Sequence, residues 1–355
     1  MPDQIELSIC IPTMNRGRFL AEALSSIARE VGEAERGAIE ICVYDSGNDD
    51  AGEIVGRFAK KTKVKVQYLC DQARIGVDRS IIKVALMGSG KFCWLLGDDD
   101  IVEPGGISRV LGTVRAHGDA ALIELNKYSY DVLLETKWSG SPPGGAGKYT
   151  LDAAFESKDG AKDFLSYFFY DLSYMSTQVV NREIYSLTLD GEKNIGEYCE
   201  DYALAYVVCR MLIAHPSAFY IAEPCVGNRT GNETALSVKS EEGKSRGIAR
   251  LDRATGENFK KIADRVVLPF DAAAHGRIMG YMMQYHMRAQ LMTLKASSVP
   301  FSKKLIVWRR VVSLYWRLPQ FWAYCFPFIA MPQLAFFAMR KVNQSVVKRA
   351  TALQK

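Results

Sequence analysis

Trp94–Asp100 reads WLLGDDD, an apolar run closed by a glycine and three consecutive carboxylates. With Phe92 and Cys93 in front, the run Phe92–Leu96 has the length of a buried strand ending at Gly97. An isolated acidic triplet is usually a solvated turn. Here the strand ahead of it delivers the triplet to the carboxyl edge of a sheet, just before Glu103-Pro104. Like charges packed this closely repel, which costs stability unless a cation neutralises them. Carboxylate oxygens are hard ligands suited to Mn²⁺ or Mg²⁺, ions that also hold a diphosphate.

Working outward, short apolar runs alternate with helical patterns. Leu7–Ile11 is strand-like and closed by Pro12, and Arg18–Glu30 carries apolar residues at helical spacing. Ile39–Tyr44 is a second strand running into the turn-rich DSGNDD, and Glu53–Lys61 fits a helix. Val64–Leu69 is a third strand and Asp78–Met87 a helix leading to the strand above. This alternation predicts an α/β fold with a Rossmann-like, mainly parallel central sheet covered by helices on both faces. In such sheets ligands sit beyond the carboxyl ends of the strands, where the polar clusters after Ile11, Tyr44 and Leu96 fall.

The second half is less regular. Trp138–Gly147 is rich in Gly and Pro and reads as a loop, Ala161–Tyr170 as a helix and Thr177–Asn181 as a strand. Glu200–Ile213 has helical spacing, Gly227–Ala235 reads as a polar loop, and Ser245–Leu294 as largely helical. The domain expectation is 1–240 for the α/β unit, with halves of about 1–115 and 116–240. A mainly helical C-terminal appendage follows over 241–355.

The 355 residues are 48% hydrophobic and 24% charged, which excludes global disorder. No basic n-region with an apolar core opens the chain, so no secretory signal is expected and the catalytic part is expected to face the cytosol. Eight cysteines without a C-x-x-C pair read as reduced, buried thiols rather than a zinc site or disulfide framework.

Charge is uneven. Phe301–Lys355 carries ten Lys or Arg and no acid, whereas the other 300 residues hold 35 basic and 40 acidic side chains. Within the tail, Leu318–Met339 has 22 uncharged residues interrupted by Pro319, Pro327 and Pro332. Its length matches a membrane span, while the prolines favour broken helices lying in the interface. A buried core or dimer contact, and hence a homo-oligomer, is the remaining reading. Trp308, Trp316 and Trp322 interleaved with Arg suit a membrane surface over 300–350. No nucleic-acid partner is expected.

Three segments together resemble the inverting family-2 glycosyltransferases of GT-A fold. LSICIPTMNR is similar to that family's opening strand with P-T-x-N-R, and IEICVYDSGNDD to its second strand. RIGV, a helix and SGKFCWLLGDDDIVEPG resemble its D-D-D segment, all within residues 5–115. The LLGDDD form resembles abequosyltransferase-like members that decorate bacterial polysaccharide units.

The resemblance implies roles. Pro12, Thr13 and Arg16 line a nucleotide pocket; Asp45 accepts from the base, suiting uracil or thymine; Gly76 and Asp78 fall near the nucleotide edge. Ser46 stands where the family often has a second Asp. Asp98 contacts the ribose, Asp99 belongs to the same nucleotide-binding turn, and Asp100, with Asp98, ligates Mn²⁺ or Mg²⁺. CEDYALAYVV, Cys199–Val208, resembles the family's E-D motif, which makes Asp201 the general base with Glu200 orienting it. As an ordinary helix start the same pair would complement the helix dipole. Arg229 in PCVGNRTGN would neutralise the leaving diphosphate, and any of His215, His275 and His286 could be a third metal ligand, though a lone His is more often structural.

The expected enzyme transfers one sugar from a nucleotide-sugar donor, UDP favoured, to an acceptor hydroxyl with inversion, since the Q-x-x-R-W motif of processive synthases is absent. A lipid-linked saccharide in surface polysaccharide assembly is the expected acceptor. The enzyme would lie on the inner face of the cytoplasmic membrane. Two other readings compete with this one. A sugar nucleotidyltransferase needs a Gly-rich basic loop, where PTMNRGRF offers one glycine. A non-catalytic membrane scaffold is at odds with an intact DDD.

Overall fold

The computed structural model describes residues 5–138, 149–190, 192, 195–198, 202–230, 255–296, 300–332 and 335–336. Two compact units appear: Met1–Val238 with Asp264–Ala274, and Lys239–Ala263 with His275–Lys355.

The first unit is built on a ten-stranded sheet. Its strands are β1 Leu7–Thr13, β2 Ile39–Asp45, β3 Lys65–Cys70, β4 Phe92–Leu95, β5 Ile101–Val102, β6 Leu122–Tyr130, β7 Lys137–Trp138, β8 Ala153–Glu156, β9 Gln178–Asn181 and β10 Ser217–Arg229. The order is β3-β2-β1-β4-β9-β6-β10-β5, with β7 beside β6 and β8 beside β10. The first four strands are mutually parallel, as are β6 and β10. β9 is antiparallel to both β4 and β6, so six strands of a mixed sheet share one direction.

The central strands are mostly apolar and buried because helices cover both faces. Every residue of β2 is buried, whereas no residue of the outermost strand β3 is. Helices α1 Gly17–Glu30, α2 Ala51–Thr62, α3 Val77–Met87 and α4 Gly106–Ala116 occupy the crossovers, each with one buried apolar stripe. Leu20, Leu24 and Ile27 of α1 join Ile54, Val55 and Phe58 of α2 in the core. Later come α5 Ser157–Phe168, α6 Arg182–Leu189 and α7 Ala203–Ala214. Buried Trp94 locks β4 to the approach to β9, its Nε1 donating to the Ser176 carbonyl at 2.8 Å.

Two expectations change here. Residues Gly227–Arg229, expected in a polar loop, end the 13-residue strand β10. Pairing with Tyr128–Tyr130 of β6 satisfies their backbone. Of the described cysteines, all free, six are buried but Cys70 on β3 is exposed.

The second unit is helical where described: Glu257–Ile262, residues 275–296, Phe301–Tyr315 and Phe321–Ala330. Tyr315 Oη donates to the Thr255 carbonyl at 2.7 Å, and Arg310 forks onto Glu257 at 3.0 and 2.5 Å. Among the described residues no helix is long and apolar enough to cross a membrane. Within Leu318–Pro332 the chain forms one short helical piece over 319–330, begun at Pro319 and ended before Pro332; most of the remainder to Met339 lies outside the described residues.

At the amino edge of the parallel strands a single carboxylate ties four of them. Glu40 of β2 is fully buried. It accepts from Ser8 Oγ of β1 at 2.7 Å, from Ser89 N and Oγ before β4 at 2.5 and 2.8 Å, and from Gln67 of β3 at 3.1 Å. Lys65 pairs with it at 2.8 Å. Burial alone would raise this carboxyl, but these donors, Lys65 foremost, pull it down to about 2. Glu40→Gln should therefore cost about 2–4 kcal/mol at neutral pH. Because the folded carboxyl titrates below the unfolded one, that stabilisation is complete above the unfolded value and fades as pH falls from there toward 2. Urea unfolding of both proteins across that range should show the gap closing on acidification.

Candidate active site

The strand register builds the site before any side chain is considered. Cys70 lies opposite Asp45, and Asp45 opposite Thr13. On the other side of β1, Cys10 is opposite Leu95, and Leu96 N donates to the Cys10 carbonyl at 3.0 Å. The acidic turn thus begins beside the end of β1, and Thr13 Oγ1 donates to Asp98 Oδ2 at 2.8 Å. Asp45, Thr13 and Asp98 form one row across three strand ends, at the carboxyl edge as expected.

The two loops of this edge are stitched together. Asn15, in the left-handed region at φ 54°, accepts from Asn48 N at 2.8 Å. Asp49 Oδ2 accepts from Gly17 N at 2.7 Å, satisfying an orphan donor at the start of α1. Asp45 accepts from Gly47 N at 2.7 Å and from Tyr68 Oη at 2.8 Å. A Cβ on Gly47 would lie 2.5 Å from Asn15 N, so only glycine lets the loops meet this closely. Pro12 opposes Tyr44 in the register, Gly76 turns the chain into α3 at φ 87°, and Asp78 is buried in that helix's first turn.

The acidic triplet is held by protein donors from several elements. Arg16 bridges Asp98 at 2.9 Å and Asp99 at 2.5 Å. Asp100 Oδ2 accepts from Tyr174 Oη and Ser176 Oγ, each at 2.5 Å, and Oδ1 from Arg229 N at 3.0 Å. Burial pushes the Asp98 carboxyl up to about 7, aided by Asp99 and opposed first by Arg16. Burial and then Asp99 raise Asp100 to about 6, against the hydrogen bonds of Ser176, Tyr174 and Arg229 N. Burial and Asp100 in turn hold the Tyr174 phenol well above its ordinary value.

In charge and donor type the triplet fits a divalent ion: three hard, mutually repelling carboxylates, two bridged by one guanidinium. Geometrically, among the described residues no three His, Cys, Asp or Glu side chains converge on one point. His215, His275 and His286 therefore join no such group.

Arg229, expected to face a leaving diphosphate, is occupied within the protein. Its guanidinium, 1% exposed, pairs with Glu22 of α1 and donates to the carbonyls of Asp99 at 2.8 Å and Val132 at 2.7 Å. Phe19 carries two guanidinium contacts, Arg16 at 5.0 Å and Arg229 at 4.9 Å from its centroid. Arg229 thereby fixes the backbone of the acidic turn to α1 and to the end of β10.

Tyr174 and Ser176 escape a reading from sequence, although they precede the strand expected at Thr177–Asn181. The missing information is direction: β9 runs antiparallel, so its start, not its end, lies at the carboxyl edge. Lys127 sits nearby, 4.4 Å above the Tyr174 ring and 3.7 Å from Asp171. Glu200 and Asp201, the expected base pair, lie outside the described residues, as does Cys199.

Residues 8–169, which span the nucleotide row and the acidic turn, match the sequence model of Glycosyl transferase family 2. Over these residues, somewhat under half of the chain, the sequence is that of a family 2 glycosyl transferase domain. The expected class of enzyme, a glycosyltransferase, is that of this domain. A curated relative, abequosyltransferase RfbV of Salmonella typhimurium, is 26% identical over 128 residues, 36% of this chain. The match spans 38% of that relative's length. By structure, the chain is similar to S. aureus TarS 1-349 at a TM-score of 0.57 and 12% identity, covering 87% of this chain and 80% of TarS 1-349. The same protein in complex with UDP-GlcNAc gives a TM-score of 0.55 at 12% identity, with 87% and 81% covered. These likenesses bear out the expected GT-A-like fold with its helical C-terminal region.

Arg229→Met should lower stability by about 2–4 kcal/mol, less than a fully buried pair because Glu22 is 33% exposed. Nucleotide binding should weaken in parallel as the acidic turn loses its anchor. Calorimetric melting beside a binding titration checks this; unchanged stability with lost turnover would mean that the guanidinium leaves these partners for substrate.

Proposed function

We propose that this family 2 domain transfers one sugar from a nucleoside-diphosphate sugar to an acceptor hydroxyl, with inversion at the anomeric carbon. The observation that carries the reading is the row Asp45–Thr13–Asp98 across three strand ends, continued by the buried turn to Asp100. Asp45 would receive the base, Thr13, Arg16 and Asp98 the ribose side, with Pro12, Gly76, Asp78 and Asp99 shaping the same edge. A UDP-sugar is the favoured donor; the TarS structure of similar fold is in complex with UDP-GlcNAc.

Asp100 and Asp98 would hold Mn²⁺ or Mg²⁺, an ion that offsets negative charge on the departing diphosphate when bound. Asp201 takes the proton of the acceptor hydroxyl while Glu200 orients it. The new bond from the acceptor oxygen to the anomeric carbon forms as the bond to the diphosphate breaks on the opposite face. Arg229 acts by holding the acidic turn rather than by touching the leaving group. The similarity to an abequosyltransferase and the acid-free tail favour a lipid-linked saccharide acceptor, met at the inner face of the cytoplasmic membrane.

Calorimetric titration of UDP, dTDP, CDP and GDP with and without Mn²⁺ should show metal-dependent binding of one nucleotide, lost in Asp100→Asn. Absence of such binding for all four would overturn the donor assignment. Asp201→Asn should leave that binding intact and slow transfer roughly 10²- to 10⁴-fold. Transfer kinetics with the donor that binds would check it.

A further inference from the structure

We propose that one face of the helical segment Phe321–Ala330 inserts into the surface of an anionic phospholipid bilayer. The inference rests on the membrane-associated reading above and names the residues that make the contact. Phe321 and Cys325 are fully buried in the second unit, where Cys325 Sγ donates to the Met283 carbonyl at 3.3 Å. The opposite side holds Trp322, Ala323, Phe326, Pro327 and Ala330, all exposed. Their spacing, i, i+1, i+4, i+5 and i+8, gathers them on one face. A helix at a protein surface ordinarily turns polar residues outward; this one presents only apolar side chains.

The face is organised rather than scattered. The rings of Trp322 and Phe326 meet at 4.7 Å, and Trp322 Nε1 donates to the Trp316 carbonyl at 2.7 Å. Trp316 is 51% exposed, with the Arg317 guanidinium 5.1 Å from its ring. From Leu318 to Pro332 there is no charged residue, and from Phe301 onward there is no acid at all. Indoles beside cations, next to an apolar face, match the interface of a bilayer. At about 1.5 Å per residue the segment is about 15 Å long, half a hydrocarbon core, so it lies in the interface and does not cross. A second copy of the chain would bring the same cations against themselves, whereas anionic lipid complements them.

The test uses the full chain and a Trp322→Ser, Phe326→Ser double variant, whose changes fall on exposed positions. Each is floated with vesicles of phosphatidylethanolamine and phosphatidylglycerol, and with vesicles of phosphatidylcholine alone. The wild type should float with the anionic vesicles and far less with the neutral ones, and the double variant should partition at least about tenfold more weakly. Unchanged flotation of the variant, or no flotation of the wild type, overturns the proposal. So does a wild-type dimer that the variant dissolves without any vesicle binding, which would assign the face to a second copy. Nucleotide titration of the same samples separates the two readings. Retained binding shows that the variant is folded, and vesicle binding without any nucleotide binding would remove the proposed function while leaving this face standing.

Discussion

Three adjacent carboxylates at a buried sheet edge set the terms for the rest of the first unit. Their mutual repulsion and their removal from water both favour neutral acids, and Asp98 and Asp100 are raised accordingly. The chain meets this with donors drawn from far apart: Thr13 and Arg16 after β1, Tyr174 and Ser176 before β9, and Arg229 at the end of β10. Each must arrive from a different element, so the sheet order and the turn are two aspects of one constraint. Compensation remains incomplete, and that residual negative charge suits a site that admits a cation with a diphosphate.

The two ends of the parallel strands are organised oppositely. At the amino edge, Glu40 receives more donors than its charge requires, and its carboxyl is drawn down to about 2. At the carboxyl edge, the Asp98 and Asp100 carboxyls are pushed up. A rigid, over-satisfied clasp at one end supports a strained cluster at the other, the usual division between scaffold and functional site.

Legibility in the sequence followed the same division. The strands β1, β2 and β4 announce themselves because burial on both faces demands mostly apolar runs, and the glycine and acids that follow β4 mark the edge. β6 and β10 were not legible: β6 is only half-buried beyond Leu125, and β10 contains Pro224 and a register shift between Ile221 and Val226. Gly227, Asn228 and Arg229 look like loop residues, and only partners at residues 22, 99 and 132 make the arginine a buried cation. Side chains that serve the site from an antiparallel strand carry no local signal of which end faces the ligand.

The four-residue strand β9 has a further consequence, for the order in which the molecule is made. It sits between β4 and β6, which precede it by some eighty and fifty residues, and joins two parallel blocks that otherwise do not touch in the sheet order. A nascent chain lacking β9 has an unpaired edge on β4, an exposed template for stray association. Closing that gap requires a long-range loop, a slow kind of step. Tyr174 and Ser176 lie immediately upstream of β9, so the same zipping event that seals the sheet also brings two of the three donors to Asp100, the third being Arg229 N. Completion of the sheet and completion of the site are thus coupled, and a chain in which β9 is not zipped is also one whose Asp100 lacks its two hydroxyl donors.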